Sequence, residues 1–204
     1  MPPRKCDKAG QSTSTISLVH PPSVYIGPCS AASSKSILAA NSITHVLSVG
    51  ASPAHKIDGV TYHRISLSDS PSSSITKVCD SACTIIQTAL KSKANTGKIL
   101  VHCSAGISRS PTVVTAYLMK CCDMPLKAAL RQIVQARPQV SPNPGFLQQL
   151  KDLETVLFGS VSLDVDALPK REKDRLVLFA EETTAAEADL EDGGLEASLS
   201  TTQL

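Results

Sequence analysis

No stretch of this chain approaches the ~18 apolar residues of a membrane-spanning helix, and its first residues carry no apolar signal-peptide core. Pro2 stands where N-myristoylation needs glycine, and the closing Thr201-Thr202-Gln203-Leu204 is not a prenylation box. Neither insertion into a membrane nor anchoring to one is expected. The seven cysteines are an odd number and lack paired Cys-x-x-Cys spacing, so neither a disulfide framework nor a zinc site is indicated. Internal repeats are missing too, which excludes a solenoid or propeller. Basic residues are too sparse for a nucleic-acid stripe: residues 20–160 hold 13 Lys/Arg against 6 Asp/Glu.

What is present is a chain of 204 residues, 42% hydrophobic, enough for one sizeable core and one domain. Its net charge of +2 hides a split, because residues 181–204 carry seven acidic residues and no basic one. Residues 1–20, rich in Ser, Thr, Lys and Pro, are expected to be a flexible leader. The domain is expected over 21–160. Beyond it lies a C-terminal extension (161–204), first basic through Lys170, Arg171, Lys173 and Arg175, then acidic and disordered from about 181.

Between those ends, strands are expected over 24–26, 43–49, 60–67 and 98–102, and a short helix over 33–40. Apolar residues at 75, 78, 79, 82, 85, 86, 89 and 90 form a helical stripe. Three more helices follow at about 109–122, 125–136 and 145–158; in the last, Phe146, Leu150, Leu153 and Leu157 step by four, three and four. Strands mixed with helices predict an α/β fold, a central mostly parallel sheet flanked by helices.

The chemistry concentrates in Ile99-Leu100-Val101-His102-Cys103-Ser104-Ala105-Gly106-Ile107-Ser108-Arg109-Ser110. A buried strand runs into a cysteine, a short loop with one glycine, and an arginine at the start of a helix. Pro111 suits a first helical turn. The N–H groups of Ser104, Ala105, Gly106, Ile107, Ser108 and Arg109 can converge as an anion nest backed by the helix dipole. The Arg109 fork matches two phosphate oxygens. A helix N-terminus and a nearby cation also lower a thiol from ~8.5 into the range ~3.5–7.5, so the arrangement binds a dianion and keeps Cys103 ionised. The Cys-x5-Arg spacing is weak by itself; the strand, His102, Gly106, Ser110 and the following helix give it weight.

His102–Ser110 resembles the phosphate-binding loop of cysteine-dependent protein tyrosine phosphatases, and its surroundings resemble the dual-specificity branch. Tyr25-Ile26-Gly27 is similar to that branch's opening strand, and Ala116-Tyr117-Leu118-Met119-Lys120 to its post-loop helix. Arg137-Pro138, followed by Pro142-Asn143-Pro144-Gly145-Phe146, resembles its late turn. The resemblance covers residues 24–157 and fits a small atypical member without a kinase-docking domain.

It implies the compact phosphatase fold and hydrolysis of phosphotyrosine and phosphoserine/phosphothreonine through a phosphocysteine. Cys103 is the expected nucleophile. Asp69, 34 residues before it in a Ser-Asp-Ser-Pro loop, is the expected general acid. Ser110 is expected to donate to the Cys103 sulfur, and Arg109 with the backbone N–H groups to hold the equatorial oxygens. His102 and Asn143 are expected to support the loop, His102 pointing away from the reacting atoms. No metal or other cofactor enters this chemistry.

Phosphoproteins are the expected partners, because Ser104, Ala105, Ile107 and Ser108 bring no lysine of the kind that relatives acting on inositol phosphates carry. Nucleic acid and membranes are not expected. A working thiol implies a reducing compartment, cytoplasm or nucleus. The alternatives are a phosphate-binding module without turnover, a phosphatase acting on a non-protein phosphate, and sulfur transfer or arsenate reduction on a similar loop. Cys79, Cys83, Cys121 and Cys122 fall at helical positions that packing explains.

Overall fold

The computed structural model describes residues 15–180. Five strands form one sheet: β1 (Ser17–His20), β2 (Val24–Gly27), β3 (His45–Val49), β4 (Thr61–Ile65) and β5 (Ile99–His102). The helices are α1 (Lys35–Ala40), α2 (Thr76–Asn95), α3 (Arg109–Cys122), α4 (Leu126–Ala136), α5 (Pro144–Phe158) and α6 (Glu172–Leu178). Sheet order is β1-β2-β5-β3-β4, with β1 antiparallel to β2 and the other pairings parallel. The expected α/β architecture is the one observed.

β5 sits in the middle because its sequence suits burial on both faces. Ile99 and Val101 join the large core under α2, α3, α4 and α5, whereas Leu100 joins a smaller cluster with Leu38, Ile43 and Val46 beneath α1. A continuous apolar run of this kind is the signature of an interior parallel strand. His102 pairs with Gly27 on one side and Ser48 on the other. The four parallel strands therefore end together, and their carboxyl edge is where an open α/β sheet places a ligand crevice. α3 starts from that edge and is buried from Ser110 to Met119. It is the central helix of the layer.

Two expectations are corrected, and the helical stripe over 75–90 is found as expected. The leader was expected to reach residue 20, but Ser17–His20 form the edge strand β1, with Val19 buried and its carbonyl accepting from Gln132 Nε2 at 2.7 Å. The domain was expected to stop at 160, yet Leu163, Leu168 and Phe179 lie in the main core, and packing continues through Phe179. α2 keeps helical dihedrals only to Lys91, one residue past the end of its apolar stripe; Ser92, Lys93 and Ala94 leave them. The expected leader over 1–14 and the expected disorder from 181 lie outside the described residues.

Candidate active site

Cys103 follows β5 at the carboxyl edge and is 2% exposed. The loop from Cys103 to Ser108 has an unusual property: each of its carbonyls accepts a hydrogen bond. His102 Nδ1 donates to Cys103 O at 3.1 Å, and Cys29 N to Ser104 O at 3.0 Å. Arg137 Nη2 donates to Ala105 O at 3.1 Å and Arg137 Nε to Gly106 O at 2.9 Å. Ser141 N reaches Ile107 O at 2.8 Å, and Thr112 N reaches Ser108 O at 3.0 Å. In a planar trans peptide the N–H points opposite the C=O. Holding the carbonyls outward turns the N–H groups inward.

The result is visible at the sulfur. Gly106 N donates to Cys103 Sγ at 3.3 Å and Ser110 Oγ at 3.4 Å. Burial alone would push the thiol up, but hydrogen bonds from the Ser110 hydroxyl and from the backbone N–H groups of Ser110, Gly106 and Ile107 outweigh it, and Cys103 titrates below its ordinary 9.0. Elsewhere the same residue type behaves oppositely: in α2, burial pushes Cys79 up to about 12. Gly106 has φ +70°, and a Cβ there would lie 2.6 Å from the Gly27 carbonyl oxygen, so the turn requires glycine.

His102 is wholly buried, and burial pulls its pKa down, partly opposed by its bond to Cys103 O. A carbonyl can only accept, so the proton sits on Nδ1 and Nε2 accepts from Ser48 Oγ at 2.8 Å. Both ring nitrogens are thus engaged away from the thiol, and the residue is a brace between β3 and the loop. Arg109 folds back over the loop, donating from Nη2 to Ser104 Oγ at 2.8 Å and from Nη1 to Leu67 O at 3.5 Å. Its Nε is buried without a hydrogen-bond acceptor among the described residues, 3.6 Å from Asp69 Oδ2.

Asp69 reaches the same rim from the segment after β4. Its Oδ1 accepts from Ser108 Oγ at 2.7 Å and from Asn143 Nδ2 at 2.9 Å. Asn143 also caps α5, its Oδ1 accepting from Phe146 N at 2.9 Å, and its own N–H donates to Ser108 Oγ at 3.2 Å. The expected brace from the late turn therefore lands on Asp69 and on the Ser108 side chain. Gly145 lets α5 approach closely, since a Cβ there would lie 2.1 Å from Pro71 O. Gln149 completes the clamp, accepting from Ile75 N at 3.0 Å and donating to Ser73 O at 3.0 Å.

All the expected site residues (Cys103, Ser104, Ala105, Gly106, Ile107, Ser108, Arg109, Ser110, Asp69, His102 and Asn143) converge on this edge. Sequence reasoning missed the role of Arg137, which is 2% exposed and holds two loop carbonyls. Its only signal was its place in the late-turn resemblance, since an arginine ending a helix ordinarily reads as a dipole complement. It also missed the Ser108 hydroxyl as a ligand of Asp69. Among the described residues no group of three or more His, Cys, Asp or Glu could hold a metal ion, and no helix is long and apolar enough to cross a membrane.

Residues 24–156 match the family model described as dual specificity phosphatase, catalytic domain. Dual specificity protein phosphatase 1 of Arabidopsis thaliana is 41% identical over 133 residues, 64% of this chain and 65% of that protein. Dual specificity protein phosphatase 15 of Mus musculus is 40% identical over 131 residues, 64% of this chain and 54% of that protein. The chain thus spans less than two thirds of the length of these relatives. The crystal structure of human DUSP28 superposes with a TM-score of 0.64 at 31% identity, over 70% of this chain and 94% of that one. With a matched catalytic domain and a loop whose N–H groups turn in on the Cys103 sulfur, this chain belongs to the dual specificity phosphatase family.

Proposed function

We propose that the protein is a cysteine-dependent protein phosphatase that hydrolyses phosphotyrosine and phosphoserine/phosphothreonine. One observation carries the reading: the carbonyls from Cys103 to Ser108 are bonded outward, which aims the loop's N–H groups at the space beside an ionised thiol. Donors fixed in advance stabilise charge without reorganising during the reaction. A phosphoryl oxygen also supplies the acceptor that the buried Arg109 Nε otherwise lacks.

The chemistry then runs in two displacements. Cys103 thiolate attacks phosphorus in line, forming the S–P bond as the ester P–O bond breaks. Asp69 gives its proton to the departing oxygen. Because Oδ1 already accepts from Ser108 and Asn143, Oδ2 is the oxygen that carries that proton. Asp69, now a carboxylate, takes a proton from water, whose oxygen attacks phosphorus and breaks the S–P bond. Ser110 stabilises the leaving thiolate. Arg109 and the loop N–H groups hold the equatorial oxygens in both steps.

Phosphoproteins fit better than multiply charged inositol phosphates, because Arg109 is the only Lys or Arg between Cys103 and Ser110. A lowered thiol oxidises readily, so a reducing compartment, cytoplasm or nucleus, suits the enzyme. Hydrolysis of para-nitrophenyl phosphate without added metal, in wild type, Cys103→Ser and Asp69→Ala across pH, tests the reading. Wild type is expected to give a bell-shaped profile, Cys103→Ser no turnover, and Asp69→Ala a reduced rate without the alkaline limb. Absence of turnover in fresh, reduced wild type would leave only a phosphate-binding role.

A further inference from the structure

Residues 160–180 lie beyond the part of the chain that the family model matches, yet two buried charged side chains tie them to it. Glu154 on α5, 1% exposed, accepts from Leu126 N at 2.6 Å, Ser162 N at 2.8 Å and Ser162 Oγ at 2.6 Å. Arg175 on α6, 4% exposed, donates from Nε to Pro138 O at 2.7 Å. Its Nη1 donates to Pro169 O at 2.6 Å and to Lys170 O at 3.0 Å. One planar guanidinium thus joins the C-terminal strap to the peptide that follows Arg137.

That peptide opens the segment which grips the phosphate loop. From 137 to 143, the segment donates to Ala105 O and Gly106 O through Arg137, to Ile107 O through Ser141 N, and to the Ser108 and Asp69 side chains through Asn143. Gly106 N and Ile107 N, the two N–H groups paired across their peptides with the carbonyls that Arg137 holds, are both donors to the Cys103 sulfur. Pro138 has its φ fixed by the ring and narrows the conformations of Arg137 before it. The bond from Arg175 to Pro138 O fixes the next peptide plane. The whole grip is therefore held from outside by a residue of the strap.

We propose that Arg175 is a positioning residue of the phosphatase reaction: through Pro138 and Arg137 it sets the direction of the loop N–H groups on Cys103. Residues 160–180 are thereby part of the catalytic unit. The kinetic part of this inference rests on the phosphatase reading; the geometry at Cys103 does not. Lysine at 175 keeps the charge but cannot span Pro138 O and the Pro169 and Lys170 carbonyls with one rigid fork.

The test compares full-length wild type, Arg175→Lys, Arg175→Gln and a control, Val177→Ala, whose side chain is exposed on the same helix. The first readout is the pH midpoint of Cys103 alkylation by iodoacetamide, followed by mass on the Cys103 peptide and needing no turnover. The others are kcat and KM for para-nitrophenyl phosphate and the thermal unfolding midpoint. Arg175→Gln is expected to raise the alkylation midpoint and to lower kcat/KM about tenfold or more, as small misplacements far from the chemistry do. Arg175→Lys should fall between it and wild type, and Val177→Ala should match wild type. Folded variants whose unfolding midpoint drops while the alkylation midpoint stays put would overturn the proposal. If Arg175→Gln does not fold, Arg175→Lys decides in the same way. If wild type turns over no ester, the phosphatase reading fails, and the alkylation midpoint still decides the role of Arg175.

Discussion

At the scale of single residues, the sulfur of Cys103 is a charge held in a buried place by a few donors, so each donor has a measurable share. Ser110 Oγ lies 3.4 Å from it, and a hydrogen bond to a charged group contributes about 1.5–3 kcal/mol. Ser110→Ala is therefore expected to raise the alkylation midpoint of Cys103 by about one to two pH units. It should also slow breakdown of the phosphocysteine, so that rapid mixing with para-nitrophenyl phosphate shows a burst of nitrophenol before a slower steady state. The same lowered thiol links stability to pH. A folded value below the unfolded one stabilises the fold fully above the ordinary thiol value of 9.0, and that contribution is lost as pH falls through the lowered value. The stability advantage of wild type over Cys103→Ser should accordingly grow from acid to alkaline pH in urea titrations; a pH-independent difference would mean that the thiolate is not stabilised in the fold. These donors were partly legible in the sequence, because Cys103, Gly106 and Ser110 lie within eight consecutive residues. Arg137 and Arg175 were not. Apart from Ser17 Oγ, 3.5 Å from Arg137 Nη1, their partners are main-chain carbonyls, at Thr15, Ala105, Gly106, Pro138, Pro169 and Lys170, and a carbonyl acceptor has no side-chain identity for a sequence to display.

At the scale of elements, the site depends on where α5 begins. Asn143 caps that helix through Phe146 N and holds Asp69 Oδ1 with its amide, so one side chain serves the fold and the proposed general acid at once. The two can be separated. Asn143→Ala loses both, and is expected to cost about 1 kcal/mol as a missing cap along with activity. Asn143→Asp keeps a good cap but sets a second carboxylate against Asp69, so the unfolding temperature should stay near wild type while turnover falls. The fall should be larger for phenyl phosphate than for para-nitrophenyl phosphate, because a poorer leaving group depends more on its proton. Equal losses on both esters would remove Asn143 from any role with the acid. Elements differed in legibility for a similar reason. The stripe of α2 announces itself because many side chains share one buried face, and the run of β5 because both of its faces are buried. β1 does not: four residues at a sheet edge, with Leu18 exposed and Val19 alone well buried, leave no periodic signal.

At the scale of the whole molecule, the sheet's parallel strands and the helices on them were readable, because alternating strands and helices leave few ways to bury both. Where the domain ends was not readable. Residues 161–180 contain a basic cluster and one proline, a composition that resembles a solvated tail, and three buried apolar side chains fasten them, with Val165 and Leu178 partly buried beside these. Those three are nonetheless fully engaged: Leu163, Leu168 and Phe179 are 2%, 6% and 1% exposed in the main core. Phe179 is the last of them and closes the strap beyond Arg175. Removing a buried phenylalanine side chain costs about 3–5 kcal/mol, so Phe179→Ala should lower the urea midpoint strongly with little change in the slope. It should also loosen the hold of Arg175 on Pro138 and raise the alkylation midpoint of Cys103 in the fraction that remains folded. Ending the chain after Ala180 deletes residues 181–204, with their seven acidic side chains, and should leave both quantities where they are. Equal stability in Phe179→Ala and wild type would put the boundary of the folded unit back at 160, and the strap would then be an appendage and not a wall of the site.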